Sequence, residues 1–140
     1  MKQPNIVVLL NQQPQTKAEA INLVGNKLVE IGSVKPEYVS TMHTRDQQAS
    51  VYMGNDLAIP HGTDEARDYV ITPAIVIMQV PKSVSFDANK VRLVIGIAAD
   101  GDAHMEILGQ IAVLCSEMEN VDSLVTIQNE QQIISMVNGG

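Results

Sequence analysis

Two near-continuous apolar runs, Ala74–Val80 and Val91–Ala98, constrain this chain more than any other feature. Successive strand side chains point to opposite faces, so a strand that is apolar at almost every position must be covered on both sides. The rest of the sequence supplies that cover as amphipathic helices. Thr16 is placed to cap a helix whose Ala20, Ile21, Val24, Leu28 and Ile31 share one face, and Gly32 stands where such a helix stops. Pro36 fits the first turn of a second helix running to about Arg45, with Tyr38, Val39 and Met42 inward. The clearest helix spans Asp102–Glu117, where His104, Ile107, Leu108, Ile111, Leu114, Cys115 and Met118 fall on one stripe. Two shorter helices, about Val121–Ile127 and Glu130–Val137, follow before Gly139-Gly140. Asn5–Leu10 and Leu57–Ile59 read as short strands, and Pro81–Phe86 as a turn and an edge strand. The pattern predicts an α/β chain: a layered single domain over 1–140, with a central mixed sheet of about five strands and helices on both faces. The order of the strands is not readable.

Composition narrows the function. At 140 residues and 45% hydrophobic, the chain can bury a core without disulfides or metals. Nine basic against sixteen acidic residues give a formal charge of −7, which opposes nucleic-acid binding, as does an aromatic content of three Tyr and one Phe. The longest apolar stretches, Ile6–Leu10 and Leu93–Ala99, fall far short of the ~20 residues a membrane helix needs. The N-terminal apolar run is also too short for a secretory signal. One cysteine, Cys115, permits no internal disulfide, and a reducing, cytoplasmic setting is expected. Its place on an apolar stripe predicts a packed, inert thiol.

The residues that could carry chemistry are few. His61 follows a short apolar strand and stands between Pro60, which fixes the approach of the chain, and Gly62, which permits a tight exit. The end of a strand is a common ligand position in α/β sheets. Thr63 could cap a short helix over Thr63–Arg67, whose free N–H groups would face an anion. His104 opens a helix just past another strand end, where the macrodipole favours a neutral ring. Taken singly, His61 is explained by a surface turn and His104 by a buried ring satisfying a carbonyl. Yet both land beyond strand carboxyl ends, a convergence of the sort an active site requires. Arg45 on its own is an ordinary cation at a helix C-terminus, and His43 an exposed helix residue. No histidine lies three or four residues from another, so no metal is expected. The chain has no Walker loop and no dinucleotide fingerprint, so no cofactor is expected either.

The segment Gly54-Asn55-Asp56-Leu57-Ala58-Ile59-Pro60-His61-Gly62-Thr63 resembles the signature of the IIA components of the bacterial phosphoenolpyruvate-dependent sugar phosphotransferase system, mannitol/fructose class. Leu93–Ala99 followed by His104, and Tyr38–Met42 leading to Arg45, are similar to its mannitol branch, and the likeness runs from the first strand to the last helix. It implies that His61 is phosphorylated through Nε2, with His104 and Arg45 stabilising the phosphoryl group and Pro60, Gly62, Thr63 and Asn55 in support. Asn55 stands where mannitol members often carry Glu, and the Phe86–Val91 connection is shorter than theirs.

The resemblance further implies a phosphocarrier. It would accept its phosphoryl group from the small protein HPr and pass it to a cysteine of a cognate IIB, which serves a membrane IIC permease. A neutral imidazole has a free lone pair for phosphorus, and a phosphohistidine donor calls for no magnesium. Donors on the three equatorial oxygens, here the His104 N–H, Arg45 and backbone N–H groups after Gly62, would do most of the catalytic work. Two other readings compete. One is a regulatory IIA-like protein whose phosphorylation state controls a partner. The other is a hydrolase using His61 and His104 as acid and base, for which the sequence offers no nucleophile or orienting carboxylate. With no Ala/Pro-rich linker at its end, the chain is expected to be a free-standing IIA polypeptide. Its negative charge would suit partners with a basic docking face.

Overall fold

The computed structural model describes residues 4–139, so Gly140 lies outside it. One mixed sheet organises the chain. Strands β1 (Asn5–Leu9), β2 (Tyr52–Gly54), β3 (Leu57–Ala58), β4 (Ala74–Phe86) and β5 (Asn89–Ala98) lie in the order β1-β4-β5-β3-β2. β1 runs parallel to β4 and β3 parallel to β5, while the β4–β5 and β2–β3 pairs are antiparallel.

The alternation within β4 and β5 builds two cores. Ala74, Val76 and Met78 with Val94 and Ala98 face helices α1 (Lys17–Glu30) and α2 (Tyr38–Gln48). Ile75 and Ile77 with Leu93, Ile95 and Ile97 face α3 (Gly101–Cys115), α4 (Met118–Thr126) and α5 (Glu130–Val137). The expected layering, with helices on both faces of the sheet, is therefore the observed one. A Cβ on Gly96 would lie 2.8 Å from Cβ of Val24, so the missing side chain lets α1 close onto β5.

Local chemistry explains the helix ends. Thr16 Oγ1 accepts the Glu19 N–H at 3.1 Å and caps α1. At its far end Gly32 takes φ +79°, with Gly32 N–H donating to Val29 O and Ser33 N–H to Leu28 O, the paired bonds of a Schellman turn. The one polar residue of the first apolar run, Gln79, is fully buried. Its amide donates to the carbonyls of Leu124 (3.0 Å) and Ile127 (2.6 Å) and so ties the end of α4 to the sheet.

Three sequence expectations need correction. Pro81–Phe86 is no separate turn and edge strand; it prolongs β4 and rejoins β5 at Val84↔Val91, past a register shift between Gln79 and Val84. The proline sits in that irregular stretch, where its missing N–H breaks no ladder bond. The turn falls instead at Asp87, with φ +60°. Strand β2 was not anticipated, although Asn55 and Asp56, both at positive φ, mark a two-residue hairpin turn. The long C-terminal helix stops at Cys115, and Met118 opens α4 rather than extending the stripe of α3. Among the described residues no helix is long and apolar enough to cross a membrane.

Candidate functional site

The chain leaves β3 through Ile59 and Pro60, both buried, and reaches His61 at the edge of the core. The turn is stitched to β5: the Ile97 N–H donates to Pro60 O at 3.0 Å, and His61 forms a single parallel bridge with Ile97. From α2 the buried Tyr38 completes the attachment. Its hydroxyl donates to Ile97 O at 2.9 Å and accepts the Gly62 N–H at 2.8 Å. Burial pushes the Tyr38 phenol up to about 12, against the opposing pull of the Gly62 N–H. A Cβ on residue 62 would lie 2.6 Å from Cε1 of Tyr38, so this ring demands glycine at that position.

The His61 ring is oriented by its own turn. Nδ1 lies 2.8 Å from Ile59 O, and a carbonyl can only accept, so Nδ1 carries the proton and Nε2 the free lone pair. Burial is the main reason the ring's pKa falls to about 4. The Ile59 carbonyl opposes that shift, His104 and Arg45 reinforce it, and Asp64 opposes it. At neutral pH the ring is uncharged and its Nε2 lone pair is free.

His104 sits in the first turn of α3, half-buried, edge-on to His61 with ring centroids 4.9 Å apart and planes at 61°. Burial again lowers its pKa, with Asp64 raising it and Arg45 lowering it. Arg45, in the last turn of α2, is held by a 2.7 Å bond from Nη1 to Ala49 O. It lines a cavity of ≈ 400 Å³ together with His61, Ile59, Met53, Met105 and Leu108. A second hollow of ≈ 370 Å³, beside His104, is lined by Gly62, Thr63, Asp64, Arg67 and Asp100. The structure thus brings His61, His104 and Arg45 together from three different elements.

Other candidates fall differently. Thr63 lines the second hollow, but its side chain caps nothing; Asp64–Tyr69 is a six-residue 3-10 helix, with Thr63 O accepting the Ala66 N–H. The Gly62 N–H is committed to Tyr38. Asn55 turns its amide to the carbonyls of Cys115 and Ser116, at 3.0 and 3.1 Å, and so closes the C-terminal end of α3. His43 bonds Asn22 across α1 and α2 through Nε2 at 2.7 Å. Cys115 is buried, which pushes its thiol up to about 11 and leaves it inert. Among the described residues no cluster of three or more His, Cys, Asp or Glu side chains is arranged to hold a metal ion. The sequence reading missed Asp64, which acts on both rings, and the Tyr38 hydroxyl. A buried tyrosine needs a partner for its hydroxyl, and that was the available signal.

Residues 3–139 match the family model of the phosphoenolpyruvate-dependent sugar phosphotransferase system, EIIA 2. The chain belongs to that family. Its relatives include the mannitol-specific phosphotransferase enzyme IIA component of Geobacillus stearothermophilus, 44% identical over 99% of this chain and 94% of that protein. The corresponding component of Enterococcus faecalis is 46% identical, covering 92% of each chain. Among solved structures, the complex of enzyme IIA mannitol and phosphorylated enzyme IIB mannitol from Escherichia coli matches with a TM-score of 0.87 and 31% identity. That match covers 95% of this chain and 94% of the other. As a EIIA 2 member the protein is a phosphotransferase component of sugar uptake, and a neutral, oriented imidazole beside a second imidazole and a guanidinium suits that chemistry.

Proposed function

We propose that His61 accepts a phosphoryl group from phosphorylated HPr and passes it to a cysteine of a cognate IIB protein, feeding mannitol uptake through a membrane IIC permease from the cytoplasmic side. The observation that carries this reading is the 2.8 Å bond from Nδ1 of His61 to Ile59 O, which leaves Nε2 as the attacking atom. The Nε2 lone pair forms the new N–P bond while the donor's N–P bond breaks, its electron pair returning to the donor's ring. The transition state is loose and spreads charge over three equatorial oxygens. His104 and Arg45 stand beside the attacking ring, and both offer N–H donors to those oxygens. Phosphorylated at Nε2 and protonated at Nδ1, the ring carries positive charge, which the Ile59 carbonyl stabilises. That same charge makes the imidazole a good leaving group when a thiolate attacks phosphorus next.

The 44% and 46% identities to mannitol-specific components support mannitol as the sugar. Incubation with phosphoenolpyruvate, enzyme I and HPr should place one acid-labile phosphoryl group on the wild type and none on His61→Ala. Labelling that persists in the variant overturns the site. Purified IIB proteins of different sugar specificity then test the acceptor: preferential transfer to the mannitol IIB supports the assignment, and preference for another IIB overturns it.

A further inference from the structure

We propose that Tyr38 is a positioning residue for phosphoryl transfer, its hydroxyl acting as a one-atom spacer that holds the His61 turn away from β5. The inference rests on His61 being the phosphoryl acceptor. A regular parallel pairing of His61 with Ile97 would use two direct bonds, from Ile97 N–H to Pro60 O and from Gly62 N–H to Ile97 O. Only the first is made, at 3.0 Å. In place of the second, the Tyr38 hydroxyl is inserted: it accepts the Gly62 N–H at 2.8 Å and donates to Ile97 O at 2.9 Å.

The inserted oxygen keeps the Gly62 nitrogen and the Ile97 carbonyl from making the direct bond of about 2.9 Å that a regular ladder would have. The ladder is therefore wedged open at the residue whose ring must meet phosphorus. The wedge is built to stay in place. Tyr38 is 2% exposed, and its ring fills the space that a side chain on residue 62 would need. Without the hydroxyl, the half-buried Gly62 N–H and the buried Ile97 O each lose a partner, and the direct way to recover one is to close on each other. That closure draws the turn toward β5 and takes the His61 ring away from His104 and Arg45. A displacement of about 1 Å at a reacting centre is worth up to a hundredfold in rate.

The test is Tyr38→Phe, followed by single-turnover phosphoryl transfer from phosphorylated HPr and by ¹⁵N–¹H spectra of Gly62 and the His61 ring. The expected result is a ten- to hundredfold fall in the transfer rate at saturating donor with KM little changed. The Gly62 amide and the His61 ring signals should shift together. A variant with wild-type rate and unmoved signals overturns the inference, whereas a wild type that takes no phosphoryl group on His61 overturns the function on which it rests. A structural role alone would lower stability without this split, and Ile133→Val, in the opposite core, is the control for stability loss. Should Tyr38→Phe not fold, 3-fluorotyrosine in the wild-type chain keeps the packing while weakening the phenol as an acceptor. The Gly62 amide proton then moves upfield, and an unmoved proton overturns the inference.

Discussion

Lowering the pH from about 8 to about 5.5 titrates most of an ordinary histidine population, yet the His61 ring should remain neutral throughout. Burial sets the direction, and the ring nitrogen would have to gain a charge beside His104 and Arg45. With a pKa of about 4, about 3% of His61 is protonated near pH 5.5, against roughly 90% for a histidine at the usual value of about 6.5. The fraction of protein able to attack phosphorus at that pH is thus about 97% instead of about one-tenth. The assay is a ¹⁵N titration of the imidazole nitrogens, which reads both the midpoint and the tautomer without involving a phosphoryl donor. A midpoint well below 5, with Nδ1 protonated and Nε2 bare at neutral pH, is expected. A midpoint near 6.5, or a proton on Nε2, refutes the argument from burial and from the Ile59 bond. The sign carries into stability. The unfolded chain binds the proton more tightly, so the contribution of His61 is full above about pH 6.5 and is lost as pH falls toward 4, on the order of 3 kcal/mol in all.

Replacing Arg45 with Gln should slow phosphoryl acceptance by about ten- to a hundredfold and raise the His61 midpoint, because Arg45 opposes protonation of that ring; a slower rate with an unmoved midpoint would place the guanidinium away from His61. His104→Ala should leave the fold intact, since the ring is only half-buried, and slow acceptance by about tenfold or more in rapid-quench measurements. Equal rates remove His104 from the mechanism. Gln79→Leu should destabilise the protein by about 2–4 kcal/mol in urea unfolding, because it strips the buried Leu124 carbonyl of its side-chain donor and the half-buried Ile127 carbonyl of its shorter one; phosphoryl transfer should persist in the folded fraction.

Much of the fold was legible because its signals were local or periodic. Thr16 and Gly32 bracket α1 through side-chain and backbone capping that depends on near neighbours. The apolar runs of β4 and β5 announced burial on both faces without revealing their partners. What escaped was decided by pairing across the sheet. Pro81 reads as a break, yet the irregular stretch between Gln79 and Val84 accommodates it, and the strand resumes its pairing with β5. β2 owes its existence to two registered positions against β3, too few to leave a periodic trace. At the site, His61 and His104 were identifiable by type and by their places at element ends, whereas Arg45 reads as an ordinary helix-end cation and was singled out only through the family resemblance. Asn55 was grouped with them through its neighbours in sequence, whereas the hairpin turn aims its amide at the end of α3. Tyr38 looked like core because it is core. That its hydroxyl sits between Gly62 and Ile97 depends on a contact between α2 and β5 that no spacing in the sequence encodes.

The position of the phosphoryl group in the phosphorylated protein tests the central claim most directly. A correlation between ³¹P and the ring ¹⁵N nuclei of protein treated with phosphoenolpyruvate, enzyme I and HPr should show one coupled nitrogen, Nε2 of His61, with Nδ1 still bound to its proton. Coupling to Nδ1, or to a ring of His43 or His104, would contradict the account at its root.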